Sequence, residues 1–97
     1  MEPLAEQFEQ RLRESIRLCI ALGYRPSVFI DMMERYDGVQ TAKRLIAAGD
    51  IQSGFRRLAE MGRLDLSMEQ IMLEPEFAPL FTREELTAAR WRLDQLQ

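Results

Sequence analysis

The side chains that could do chemistry in this sequence are few: a Lys43-Arg44 pair, an Arg56-Arg57 pair, the triplet Arg90-Trp91-Arg92, one cysteine, Cys19, and carboxylates such as Glu84-Glu85 and Glu74-Pro75-Glu76. Histidine is absent, which removes the commonest general base and the commonest transition-metal ligand. One cysteine makes neither a zinc site nor an internal disulfide. The phosphate-loop spacing Gly-x-x-x-x-Gly-Lys-Ser/Thr and the dinucleotide spacing Gly-x-Gly-x-x-Gly do not occur, and no loop carries the dense oxygen ligands that calcium needs. Catalysis would have to rest on carboxylates alone, in a chain so short that little room for a pocket is expected. No enzyme activity, cofactor or metal is implied, and no small-molecule substrate is evident.

The remaining candidates concern binding. Arginine outnumbers lysine twelve to one, which suits bidentate contact with phosphate, so Lys43, Arg44, Arg56 and Arg57 are candidate phosphate contacts for a nucleic acid. The same pairs also fit solvated helix faces, and a pI of about 5.0 is far from that of a basic nucleic-acid-binding domain. Trp91 is the second candidate. At roughly 100° per residue, Leu86, Ala89, Leu93 and Leu96 share one side of a last helix while Trp91 points well over 90° away from their mean. Either another element, such as the Pro75 to Phe81 segment, folds over the indole, or Trp91 is displayed between Arg90 and Arg92. Trp with Arg is the pairing enriched at interface hot spots, which makes Arg90, Trp91 and Arg92 a candidate partner interface. Cys19, inside the apolar run Ile16 to Leu22, reads as a small buried hydrophobe, since a reactive thiolate needs exposure and positive charge beside it.

Charge is unevenly spread around a net of −3: residues 35 to 63 hold six basic and three acidic groups, residues 64 to 85 one basic and six acidic. A field of that shape favours one orientation of approach to a charged partner. No apolar run approaches the roughly 20 residues of a membrane span. The opening Met-Glu-Pro-Leu-Ala-Glu lacks the regions of a signal peptide, and a cytoplasmic location is expected.

The elements that must position these groups are helices, and 97 residues suffice for one core. Leu4, Phe8, Leu12, Cys19 and Leu22 form one stripe of a first helix, which Leu18 and Ile20 widen toward the end, so that this end should be covered on more sides. Gly23 is its natural stop. Phe29, Met32, Met33 and Tyr36 predict a second helix from Pro26, ending at Asp37-Gly38. Val39, Ala42, Leu45 and Ile46 predict a third, stopped at Gly49-Asp50, and Phe55, Leu58, Ala59 and Met61 a fourth, stopped at Gly62. Ser67 with Gln70 and Thr82 with Glu85 match the capping box and start helices five and six. Between them Pro75 and Pro79 break any regular element, leaving Phe77, Leu80 and Phe81 to plug the core from an irregular strap. The methionines at helical spacing are core fillers. The stretch Gly62 to Gln70 looks like the turn of a helix-turn-helix, yet the helix it launches carries Glu69 and Glu74 and no Lys or Arg, a poor match to a phosphate-lined groove. It reads as a structural corner anchored by Leu64 and Leu66. The expected fold is all-α: one domain over residues 1–97, a compact bundle of five or six short helices with a Pro-containing strap.

The order and spacing of Phe29, Met32, Gly38, Ala42-Lys43-Arg44-Leu45-Ile46, Ser53-Gly54-Phe55, Leu58, Gly62-Arg63-Leu64-Asp65-Leu66-Ser67, Glu69, Pro75-Glu76-Phe77, Leu80-Phe81-Thr82, Glu85 and Ala89-Arg90 resembles an uncharacterised family of small bacterial proteins. The likeness covers roughly residues 24 to 93. Members occur as short proteins and as tails of longer ones, and the family carries no assigned activity, so the resemblance implies no functional residue. Thr41 departs from its pattern, which tends to have a second alanine there. The expected function is that of a non-catalytic protein–protein interaction module or small accessory protein, binding another protein or itself through the last helix and the adjacent acidic segment. The alternative is a nucleic-acid-associated domain contacting phosphates through the basic middle.

Overall fold

The computed structural model describes residues 3–48 and 53–96. In α1 (Leu4–Ala21) the residues Phe8, Leu12, Ser15 and Cys19 recur at steps of three and four, which turns one stripe of the helix inward. The wider stripe expected at its end is found only in part: Leu18 packs against the cluster around Cys19, but Ile20 and Leu22 are 44% and 47% exposed. Ile20 lies roughly 100° around the helix from Cys19, outside the arc that packs on the rest of the molecule. Gly23 and Gly62 end α1 and α4 with φ of +91° and +71°. In each case the next amide reaches back five residues, Tyr24 to the Cys19 carbonyl and Arg63 to that of Leu58, both at 2.9 Å. This closure requires a left-handed residue at the stop, which glycine adopts without strain.

The next helices are α2 (Ser27–Arg35), α3 (Gly38–Ala47) and α4 (Ser53–Glu60). Asp37 caps α3 by accepting from the Gln40 amide at 2.8 Å. The expected stop at Gly49-Asp50 lies outside the described residues. Where α3 begins it meets α1 so closely that a Cβ on Gly38 would fall 2.9 Å from the Glu9 Cα, and the Gly38 amide donates to Glu9 Oε1 at 2.8 Å. Thr41 is fully buried, and its hydroxyl donates to the Met32 carbonyl at 3.3 Å near the end of α2. Thr41 thereby ties α3 to α2.

The corner is a 3₁₀ turn (Leu64–Leu66) followed by α5 (Met68–Met72), with Ser67 Oγ accepting from the Gln70 amide at 3.1 Å. The strap is not irregular. Pro75–Leu80 forms a 3₁₀ helix, because Pro75 stands at its first position with φ already suitable. The bonds that hold it, Phe77 N to Glu74 O at 2.9 Å and Phe81 N to Ala78 O at 3.2 Å, do not need the amide that Pro79 lacks. It does plug the core as expected: Phe77 and Phe81 are buried and Leu80 packs against the same cluster. Last comes α6 (Arg83–Leu96), opened by a reciprocal capping box in which the Thr82 amide donates to Glu85 Oε1 at 2.8 Å and the Glu85 amide to Thr82 Oγ1 at 3.1 Å.

The architecture is an all-α bundle. Against α1 lie α3, α5 and both 3₁₀ segments, while α6 covers α5 and α3. Phe8 is the hub of the main core, meeting the Phe77 and Phe81 rings edge-on at 5.2 and 5.1 Å between centroids, a geometry that matches the positive ring edge to the negative face. Met33, Met68 and Met72 fill the spaces around it. A second, smaller cluster joins Cys19, Leu58 and Leu66 and seats α4. No described helix is long and apolar enough to cross a membrane.

Candidate functional site

The three residues of the Arg90-Trp91-Arg92 triplet part company in α6. Ala89 and Leu93 face the core, and Trp91 is displayed at 51% exposure on the far side of the helix. The Pro75–Leu80 helix does not fold over it. The indole sits beside Arg83, Glu84, Thr87 and Ala88, one turn and two turns earlier on the same face, and with them lines a shallow depression. Arg90 is exposed beside it. Arg92 is not part of this surface. It is 2% exposed, donates to Glu69 Oε2 at 3.3 Å, and donates through Nη2 to the Leu45 and Ile46 carbonyls at 2.9 and 3.3 Å. Those carbonyls close α3, where the helix dipole favours a cation. As a displayed interface residue Arg92 is therefore corrected: buried polar partners, not solvent, hold its guanidinium.

The acidic segment is equally changed by folding. Glu69 is buried against Arg92, Glu74 pairs with Arg11 at 3.2 Å, Glu85 with Lys43 at 2.7 Å and Asp65 with Arg63 at 3.0 Å. The field expected from its charge count is thus largely cancelled by basic groups of other segments. Burial pushes the Glu69 carboxyl above the usual carboxylate range, an effect that Arg92 offsets only in part. Glu85 lies below that range: burial raises it, but the Lys43 ammonium and the Thr82 amide outweigh burial. The corner cannot enter a groove, since Met68, Glu69, Ile71 and Met72 of α5 are all buried.

The four candidate phosphate contacts are differently engaged. Lys43 is tied to Glu85 and lies 5.5 Å from the Phe81 ring centroid. Arg44 stacks its guanidinium 4.1 Å over Tyr36. Arg57 approaches Glu60 at 3.8 Å, and Arg56 is exposed. Among the described residues no group of three His, Cys, Asp or Glu side chains is placed to hold a metal ion.

A feature missed entirely by sequence reasoning is a cavity of about 390 Å³ between α1, α2, α4 and the corner. The expectation of little room for a pocket is overturned, because the two hydrophobic clusters do not merge and the cavity lies between them. Ile16, Phe29 and Leu45 line it from the main cluster, Leu58 and Leu66 from the smaller one. Its polar lining includes Ser15, whose hydroxyl donates to the Leu66 carbonyl, and Cys19, whose thiol burial pushes up. Cys19 is 3% exposed, as expected for a buried hydrophobe, and a thiol so held is a poor nucleophile. The charged lining residues are Glu69, already compensated by Arg92, and Arg25. Arg25 follows the α1 stop, and its only signal in the sequence is the dipeptide Arg25-Pro26 restarting the chain. In comparisons with family models, curated proteins and solved structures, none matched the chain.

Proposed function

We propose that the chain is a non-catalytic helical interaction module, a small bacterial accessory protein of the cytoplasm, that docks on another protein or on a second copy of itself through the outer face of α6. The display of Trp91 carries this reading. A half-exposed tryptophan on a helix whose opposite side is buried belongs to neither hydrophobic cluster, yet offers a large, rigid apolar surface with the depression at Ala88 beside it and Arg90 exposed next to it in sequence. The occurrence of the resembling family as tails of longer proteins fits a module of this kind. Nucleic-acid contact has less behind it, since Lys43 is committed to Glu85 and Arg44 to Tyr36.

Trp91→Ala tests the proposal. With the indole exposed, its removal should change unfolding free energy by no more than about 0.5 kcal/mol while abolishing self-association in sedimentation or retention of a partner from the native host. Glu76→Ala, exposed on a different element, should leave both intact. Association that survives Trp91→Ala, or a variant that unfolds, sinks the reading.

A further inference from the structure

We infer that the cavity between α1, α2, α4 and the corner is a binding site for a small amphipathic anion, an aliphatic or aromatic carboxylate whose apolar body enters the cavity and whose carboxylate meets Arg25 at its edge. This goes beyond the docking role of α6, with whose surface depression the cavity shares no residue.

Size, lining and charge support it separately. At about 390 Å³ the cavity falls in the range of small-molecule sites. Its walls are mostly apolar, and they come from helices on three sides: Ile16 and Cys19 of α1, Phe29 and Val28 of α2, Leu58 of α4. Val28 is 71% exposed, so an apolar ligand would be met by apolar surface at the rim as well as inside. Of the polar lining groups, the Ser15 hydroxyl is spent on Leu66, and the Glu69 charge is answered by Arg92 at 3.3 Å. What remains uncompensated is Arg25, an exposed guanidinium for which the described residues provide no carboxylate. Arg57, whose charge acts on the lining residue Tyr24, is itself met by Glu60 at 3.8 Å. The one unanswered charge among the described lining residues is therefore positive, the complement of an apolar molecule with an anionic end.

The test is a methyl NMR titration of the intact protein with decanoate, decanol and decylammonium, observing the Ile16, Val28 and Leu58 methyls together with the Trp91 indole. Decanoate should saturate the lining methyls and leave the indole unmoved. Decylammonium should bind far more weakly. Arg25→Glu, at an exposed position and so without effect on melting temperature, should weaken decanoate at least about tenfold and leave decanol unchanged. Absence of saturable shifts with all three probes overturns the site. Equal binding of decanoate and decylammonium, or no loss with Arg25→Glu, overturns the anion assignment. Lining methyls that move with protein concentration alone would mean that a second copy fills the cavity, and the proposal fails.

Discussion

Arg92 is 2% exposed, and a guanidinium so placed is tolerable only if acceptors are aimed at its donors. Glu69 provides the countercharge and the Leu45 and Ile46 carbonyls of α3 further acceptors, so one side chain joins α6, α5 and α3. Removing one partner leaves the other charged and stranded. Arg92→Leu should lower the unfolding free energy by about 3–5 kcal/mol, measured by urea denaturation, with Glu69→Leu similar. The double variant Glu69→Leu/Arg92→Leu should be less destabilised than either single change, because no buried charge is left alone; equal or greater loss in the double would show that the carbonyl contacts of Arg92 matter more than the pair. None of this was legible in the local sequence. Trp91 and Arg92 are adjacent and the apolar periodicity of α6 locates the indole correctly, but the type of a residue does not reveal that its partner waits 23 positions earlier. Arginine at the edge of a stripe is ordinarily solvated, and here it is not.

Elements were legible wherever their signal was local. The Thr82-Glu85 box, the Ser67 cap and the glycine stops at Gly23 and Gly62 act within six residues, and each falls where the pattern predicted. The Pro75–Leu80 helix was misread because Pro forbids α-helical bonding in an interior but permits a short 3₁₀ run whose bonds bypass its nitrogen. The cavity was illegible because its lining is drawn from α1, α2, α3, α4 and the corner, so that no single window of sequence contains it. Gly38 shows the same limit on a smaller scale. Read along the chain it is one more glycine stop, at the end of the second helix, whereas it opens α3 and its reason lies in α1, with the Glu9 backbone 2.9 Å from where a Cβ would stand. Alanine favours a helix interior by about 1 kcal/mol over glycine, so a purely local view expects Gly38→Ala to stabilise. The crossing predicts the reverse: the contact is with backbone, which cannot swing aside, and separating α1 from α3 should cost about 1–3 kcal/mol of unfolding free energy. A raised midpoint in urea would refute the close crossing.

For the whole molecule, the segregation of charge along the chain serves to fasten segments to one another. Arg11 of α1, Lys43 of α3 and Arg92 of α6 each hold an acid of the 64–85 segment, so the acidic stretch is stitched to the rest of the bundle more than it is presented to a partner. Stability should therefore depend on pH in two opposite senses. Glu85, held below the usual carboxylate range by Lys43 and the Thr82 amide against the effect of burial, and Asp65, held down by Arg63, bind protons less readily folded than unfolded. Their contribution is present above the unfolded-state value and is lost as pH falls through the native one. Glu69, raised by burial, binds its proton more tightly folded. Its contribution is complete below the unfolded-state value and declines as pH rises through the native one. Melting temperature followed by circular dichroism should accordingly drop on acidification below the usual carboxylate range, and should also decline, from a separate origin, as pH rises above that range. Glu85→Gln should flatten the acid limb and spare the upper one, and Glu69→Gln should do the opposite. If both variants keep the wild-type profile, the ion pairs between segments are not what ties stability to pH, and the stitching role assigned to the acidic stretch is wrong.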